Sequence, residues 1–176
     1  MSFIKLYIAS SVDGFIAEKD GHVDWLNNFH SPDEDYGYNK FYSEIDALIM
    51  GRKTYDFCSS LNSWPYAGKQ TFVFTSKKIQ SEREEIEFIN MNPSAEIYRI
   101  KTAGYKNIWL VGGGNLNAQF LNSNLIDEII LFVMPIVLGE GIPLFPESTQ
   151  HLLDLQESET YPSGVIKLVY KPRRNN

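Results

Sequence analysis

The sequence predicts an α/β protein built on a mixed, mostly parallel sheet, and three of its features carry that expectation. Over the first 125 residues, short apolar runs rich in β-branched and aromatic residues alternate with helical patterns, as parallel strands joined by helical crossovers require. The remainder is a run of strands, which adds antiparallel pairing at one edge of the sheet. Two of the apolar runs, "LIMG" and "WLVGGG", end in glycine and pass straight into a helix, the junction at which open α/β sheets hold ligands.

Taken in order, 3–9 reads as a strand, and 10–32 is largely irregular, with turn signals at Asp13-Gly14 and Asp20-Gly21. A helix is expected over 34–45, capped by Ser31 or Asp33, with Pro32 near its first turn. The apolar strand 47–50 ends at Gly51, and a helix starts near Lys53. Strands follow over 70–75 and, more weakly, 87–89. A helix over 93–104 has proline at its start and glycine at its end. The strand 107–111, the helix 115–121 and the long apolar strand 126–134 come next. The loop "VLGEGIPLFP" leads to a strand near 152–160, which pairs as a hairpin with 165–170.

At 176 residues the chain is expected to form one domain, 1–176, with a substantial core. It is 43% hydrophobic and 14% aromatic, which favours strands and an apolar pocket over disorder. The net charge of −6 leaves no broad basic face, which argues against nucleic acid as a partner. An anionic ligand must then be held by local lysines, arginines and backbone amides against the overall field. The single Cys58 cannot form an internal disulfide, which points to a reducing compartment. The start "MSFIKLYIASSVDG" alternates instead of forming a signal-peptide core, and no apolar run is long enough to span a bilayer. A cytoplasmic protein with no membrane partner follows by default. His22 and His30 belong to no metal-ligand spacing, so no metal is expected.

The two strand–glycine–helix junctions share one design. In "LIMGRKTY" Gly51 is followed by Arg52, Lys53 and Thr54 at a helix start; in "WLVGGGNLN" Gly112, Gly113 and Gly114 are followed by Asn115, Leu116 and Asn117. A helix start offers unpaired N–H groups and the positive end of a dipole, so both suit phosphate. The glycine triplet offers backbone amides and close approach. The Gly51 junction adds a guanidinium able to grip phosphate by two parallel bonds. Thr75, Ser76, Lys77 and Lys78 follow the neighbouring apolar run. Each motif alone also reads blandly, the triplet as a tight turn and "GRKT" as a solvated helix start. Their joint occurrence favours a ligand with a pyrophosphate and a separate phosphate monoester, and NADPH is such a ligand.

The segments "MGRKTY", "FTSK" and "VGGGNLNAQFL", in this order, resemble the dihydrofolate reductase superfold. With "YIASSVDGFIA" near the start and "DEIILFVMPIVLGEGIPLF" near the end, the chain is most similar to the reductase domain of bifunctional riboflavin-biosynthesis enzymes and its stand-alone relatives. The resemblance covers nearly the whole chain. It implies a three-layer fold and places Gly51, Arg52, Lys53 and Thr54 at the adenosine ribose and its 2′-phosphate, with Thr75, Ser76 and Lys77 across the adenine. It implies that Val111 and Gly112 to Asn117 hold the pyrophosphate, with a cis Gly112–Gly113 bond. Ala9, Ile16 and Ala17 fall beside the nicotinamide. A homodimer is also implied, and the apolar "FVMPIVLG" is a segment that could pair between subunits.

On the substrate side, Asp35 falls where dihydrofolate reductases carry their pterin-binding carboxylate. The apolar stacking position one turn later is Asn39, and no arginine lies between Arg52 and Arg83 to hold a folate tail. The riboflavin-pathway reading has its own gap. Its substrate carries a ribose phosphate, yet the 10–32 loop offers only Lys19 with His22 and His30. The zinc-deaminase signature is absent. The resemblance thus implies an NADPH-dependent reductase transferring hydride to a pyrimidine or pteridine-type small molecule. Reduction of a ribosylaminopyrimidine phosphate leads, dihydrofolate is second, and an NADP(H)-binding module without turnover is the alternative. Asp35 is the candidate general acid, directly or through water. Asp13 either orients its loop or touches substrate, and Trp25 is expected as a wall of the pocket.

Overall fold

Eight strands form one sheet in the computed structural model, which describes residues 2–77, 79–89 and 93–174. They are β1 (Phe3–Ser11), β3 (Ala47–Gly51), β4 (Gln70–Phe74), β5 (Ile86–Ile89), β6 (Asn107–Gly112), β7 (Glu128–Met134), β9 (Leu153–Thr160) and β10 (Ile166–Pro172). The short β2 (Phe15–Ala17) and β8 (Ile142–Pro143) make a separate antiparallel ribbon. The helices are α1 (Tyr38–Glu44), α2 (Arg52–Ser60), α3 (Pro93–Thr102) and α4 (Gly114–Asn122). Across the sheet the order is β5-β4-β3-β6-β1-β7-β10-β9. The first six run parallel, β10 runs antiparallel to β7, and β9 runs antiparallel to β10.

The period of two along each strand divides the core into two faces. From β1, Ile4, Leu6 and Ile8 go to one face with Ile97 and Ile100 of α3 and Leu116, Phe120 and Leu121 of α4. Tyr7 and Ala9 go to the other with Phe41 of α1. Met50 and Val73 on that second face meet Cys58 of α2. Helices on both faces give the three-layer architecture, as the resemblance implies. Phe120, fully buried, meets Phe74 edge-on at 5.6 Å. Burying a ring of that size contributes about 1.5–3 kcal/mol.

Three details differ from the sequence reading. The first helix begins at Tyr38, because Tyr36 and Gly37 both have left-handed φ, 54° and 78°. Ser31 Oγ accepts the Asp33 N–H at 3.3 Å in a local turn, so neither residue caps a helix. Such side-chain bonds compete with helical ones. Second, 10–32 and the "VLGEGIPLFP" loop hold β2, β8 and a 3₁₀ helix, Asp24–Phe29. Third, β7 is hydrogen-bonded on both sides, by β1 and β10, so the "FVM" of "FVMPIVLG" has no edge for a second subunit. The sheet ends instead at β5 and β9. Among the described residues no helix is long and apolar enough to cross a membrane.

Candidate active site

β3 and β6 are neighbours, with Met50 opposite Gly112. The helices that follow them leave for opposite faces, α2 to the Met50 face and α4 to the Ile4 face. Such divergence opens a crevice at the carboxyl ends of the strands. Its lips are close together. A Cβ built on Gly51 would lie 3.8 Å from the Gly112 carbonyl oxygen and 3.9 Å from the Gly113 nitrogen. Neither helix has a side-chain N-cap. Two sets of first-turn amides, each at the positive end of a helix dipole, are thus brought to one crevice.

The three glycines are needed for different reasons. Gly112 has φ +116°, a conformation L side chains rarely adopt. A Cβ on Gly114 would collide with the Pro143 carbonyl oxygen and meet Pro146 Cδ at 3.1 Å, so this glycine makes room for the protein's own loop. A Cβ on Gly113 would make only an ordinary contact, with Thr54 Oγ1 at 3.6 Å. The Gly112–Gly113 bond is cis, as the resemblance implies. Asn117 is fully buried and donates from Nδ2 to the Leu144 carbonyl at 3.3 Å. Leu116 is buried in the core, and Asn115 is exposed at the helix start.

At the other lip, Arg52 Nε donates to Asp56 Oδ1 at 2.6 Å, one helical turn on. The guanidinium lies 5.8 Å from the Tyr55 ring centroid and 5.9 Å from that of Phe88. Its Nη1 is buried with no hydrogen-bond partner. A buried guanidinium N–H left open beside a helix start fits a phosphate oxygen. Lys53 is exposed and Thr54 half-buried. Gly51 pairs with Phe74, which brings Thr75, Ser76 and Lys77 alongside. Thr75 is buried and its Oγ1 accepts the Lys77 N–H at 3.1 Å, while Ser76 and Lys77 are exposed. Lys78 lies outside the described residues. The Asp56 and Phe88 contacts escaped the sequence reading, although Arg52 and Asp56 stand at the i, i+4 spacing that signals an ion pair.

Ala9 is half-buried near the end of β1 and shares an apolar cluster with Val111 of β6. Ile16 and Ala17 lie on β2, where Ala17 is buried against Gly141. The 10–24 loop is tied down from the far side. Asp13 accepts the Leu138 N–H at 3.1 Å on Oδ1 and the Gly139 N–H at 2.7 Å on Oδ2. Lys19 pairs with Glu140. The Ser11 hydroxyl, with those two amides, holds the Asp13 carboxyl below its usual range.

Beneath Ala9 the same face carries a wall of rings. Tyr7 stacks on Phe41 at 4.2 Å and tilts against Phe132 at 4.8 Å. Tyr36 meets Tyr161 edge-on at 4.9 Å, and its hydroxyl donates to the Phe29 carbonyl at 2.8 Å. Tyr161 stands just past β9, so the tip of the C-terminal hairpin completes the wall, which sequence alone gave no sign of. Burial pushes the Tyr38 hydroxyl up to about 12 and raises that of Tyr7 as well. Trp25 is buried in this cluster, with its Nε1 unpartnered. Asp35 accepts the Asn39 N–H at 3.0 Å and the Gly37 N–H at 2.9 Å. Those two bonds, Asn39 first, lower its pKa.

A three-layer sandwich with its crevice between two helix starts, and an antiparallel hairpin at one edge, is the architecture of the dihydrofolate reductase-like proteins. Within that class, the profile of the RibD C-terminal domain matches residues 61–167, and the chain belongs to that family. It is 43% identical over 145 residues to the protein YwjB of Bacillus subtilis, covering 82% of this chain and 83% of that one. A Shewanella sp. PV-4 structure described as "Putative riboflavin biosynthesis protein" superposes with a TM-score of 0.88 at 29% identity, covering 99% of this chain and 100% of that one. A Thermotoga maritima deaminase/5-amino-6-(5-phosphoribosylamino)uracil reductase shares the fold with a TM-score of 0.74 at 14% identity, covering 98% of this chain and 57% of that one. The family is one of riboflavin-biosynthesis reductase domains.

Proposed function

We propose that the protein is an NADPH-dependent reductase acting on a pyrimidine ring, as the reductase named for the Thermotoga relative does, or on a pteridine-type ring. The observation that carries the reading is the crevice between Gly51 and Gly113, with the unpartnered Arg52 Nη1 at one lip. Arg52, Lys53 and Thr54, with Thr75, Ser76 and Lys77 alongside, would hold the 2′-phosphate end. Backbone amides from Gly113 to Asn115 would meet the pyrophosphate. Leu116 and Asn117 serve from behind, since both side chains are buried. Ala9, Ile16, Ala17 and Val111 would border the nicotinamide. When bound, NADPH supplies the hydride.

The chain's own residues position the reactants and exclude water. Asp13 and the Lys19–Glu140 pair hold the 10–24 loop against 138–140, which closes the site on that side. Asp35, kept ionised by its two amide bonds, acts as an acceptor that orients a substrate N–H or a water, and the proton that follows the hydride comes through that water. We also propose a homodimer, seamed at the free β9 edge, where Leu155 is 54% exposed.

A fluorescence titration tests the cofactor assignment. Wild-type protein is expected to prefer NADPH over NADH. Arg52→Ala should weaken NADPH by about 10- to 100-fold, the worth of a charge-assisted bond of roughly 1.5–3 kcal/mol, and leave NADH nearly unchanged. Equal losses for the two would remove Arg52 from the phosphate site.

A further inference from the structure

The end of the sheet away from the crevice carries a groove that the reductase reading does not use. It runs past the first residues of β6, β1 and β7 and the close of β10, with α3 along one side, and has a volume of about 1160 Å³. Its charge runs against that of the whole chain. Lys101, Lys106, Lys171, Arg173 and Arg174 line it, with Asp127 and Asp154 among them, in a protein of net charge −6.

Both of these carboxylates are engaged. Asp127 Oδ2 accepts the Ile4 N–H at 2.9 Å and lies 3.6 Å from Lys101 Nζ, and its Oδ1 accepts from Arg174 Nη2 at 2.8 Å. Asp154 Oδ1 accepts from Arg173 Nε at 2.7 Å. Lys106 and Lys171 are exposed, and among the described residues neither stands in an ion pair. Of the acidic groups beside the groove, Asp46 turns to the Lys106 and Asn107 amides, at 2.8 and 2.9 Å. Even with Asp46 added, five cations face three carboxylates. Glu128 pairs with Lys5, and Glu87 and Glu96 pair with Arg99. Glu44 belongs to α1, which packs on the opposite face of the sheet from α3.

The free cations are spread along the groove. Lys106 precedes β6 and Lys171 lies on β10, three strand spacings away in the sheet order, about 14 Å at about 4.8 Å each. One phosphate group cannot touch both. An extended chain of about five residues, rising about 3.3 Å each, spans them. Apolar rings border the same groove, Phe3 at 50% exposure and Tyr98 at 75%. A nucleic acid suits it less, because an unbroken run of phosphates would meet Asp127, Asp154 and the negative field of the whole chain. A peptide that alternates acidic and apolar residues complements cations and rings together.

We infer that this groove docks an extended acidic segment of a partner protein, with its carboxylates on Lys106 and Lys171 and its apolar side chains on Phe3 and Tyr98. The groove and the crevice lie at opposite ends of the sheet, so the inference stands apart from the cofactor assignment.

The probe is an eight-residue peptide of alternating glutamate and leucine, titrated by calorimetry against the full chain. Its counterpart with lysine for glutamate and an eight-nucleotide oligothymidylate are titrated in parallel. The glutamate peptide is expected to bind below about 1 mM and more tightly than either comparison. Lys106→Gln/Lys171→Gln, checked for an unchanged circular dichroism spectrum, should weaken it by about 3- to 30-fold, two surface ion pairs being lost. Phe3→Ser/Tyr98→Ser should weaken it several-fold. No binding of the glutamate peptide up to about 1 mM overturns the inference, as does equal binding of the lysine peptide or an unchanged affinity in the folded lysine variant. Tighter binding of the oligothymidylate also overturns it and makes the groove a nucleic-acid site.

Discussion

Gly114 and Arg52 are the residues whose roles the surroundings define most narrowly. The triplet 112–114 invites a single explanation, close approach of a ligand. The structure divides the three: backbone conformation at Gly112, the protein's own Pro143 carbonyl at Gly114, and an uncrowded position at Gly113. Gly114→Ala is therefore expected to destabilise the fold by overpacking, by about 1–3 kcal/mol. A urea-unfolding midpoint unchanged from wild type would show that the 142–146 loop yields freely. At Arg52 the guanidinium is held by Asp56 and two rings, with its Nη1 left without a partner. "GRKT" made the cation legible, and its partner Asp56 was one turn away. Phe88 was not legible, because β5 reaches the site only through the sheet order.

Among the elements, the β2–β8 ribbon and the hairpin tip matter most to the site. Both come from segments that read as irregular or peripheral. β2 and β8 are three and two residues long and have no periodicity to detect, so only their pairing defines them. The bonds from Leu138 and Gly139 to Asp13 fix the 10–24 loop from a segment 125 residues away. Asp13→Ala is accordingly expected to free that loop and raise the NADPH dissociation rate several-fold in stopped-flow measurements. A rate equal to wild type would mean that the Lys19–Glu140 pair suffices. α1 makes the opposite point. Its apolar side was legible, but its start was not, since Asp35 bonds the backbone of Gly37 and Asn39 and sets a left-handed turn ahead of it.

Acid stability belongs to the whole molecule. Asp13, Asp35 and Asp154 are all held below the usual carboxylate range, by the Ser11 hydroxyl, the Asn39 amide and the Arg173 guanidinium respectively. The unfolded chain binds these protons more tightly than the folded one. The stabilisation is thus fully present above about pH 4 and is lost as pH falls through the lower folded values. Urea midpoints should be nearly level from pH 7 to pH 5 and drop below about pH 4, with a shallower drop in Asp13→Asn/Asp35→Asn. Sedimentation should give twice the mass of one chain for the wild type, and Leu155→Lys should reduce it. A single-chain mass for wild type would remove the β9 seam.

The sequence by itself determined the alternation of strands and helices, the glycine ends of β3 and β6, and the cation at the start of α2. Each of these depends on residues close together in the chain. Tertiary structure alone decided that β3 and β6 lie side by side with their helices on opposite faces, and that the hairpin tip reaches Tyr36. It also decided that Asp35 comes near Tyr7 and Glu159 near Tyr161. Strand order and charge environment are set by contacts between distant segments, whose combined burial and pairing no local pattern encodes.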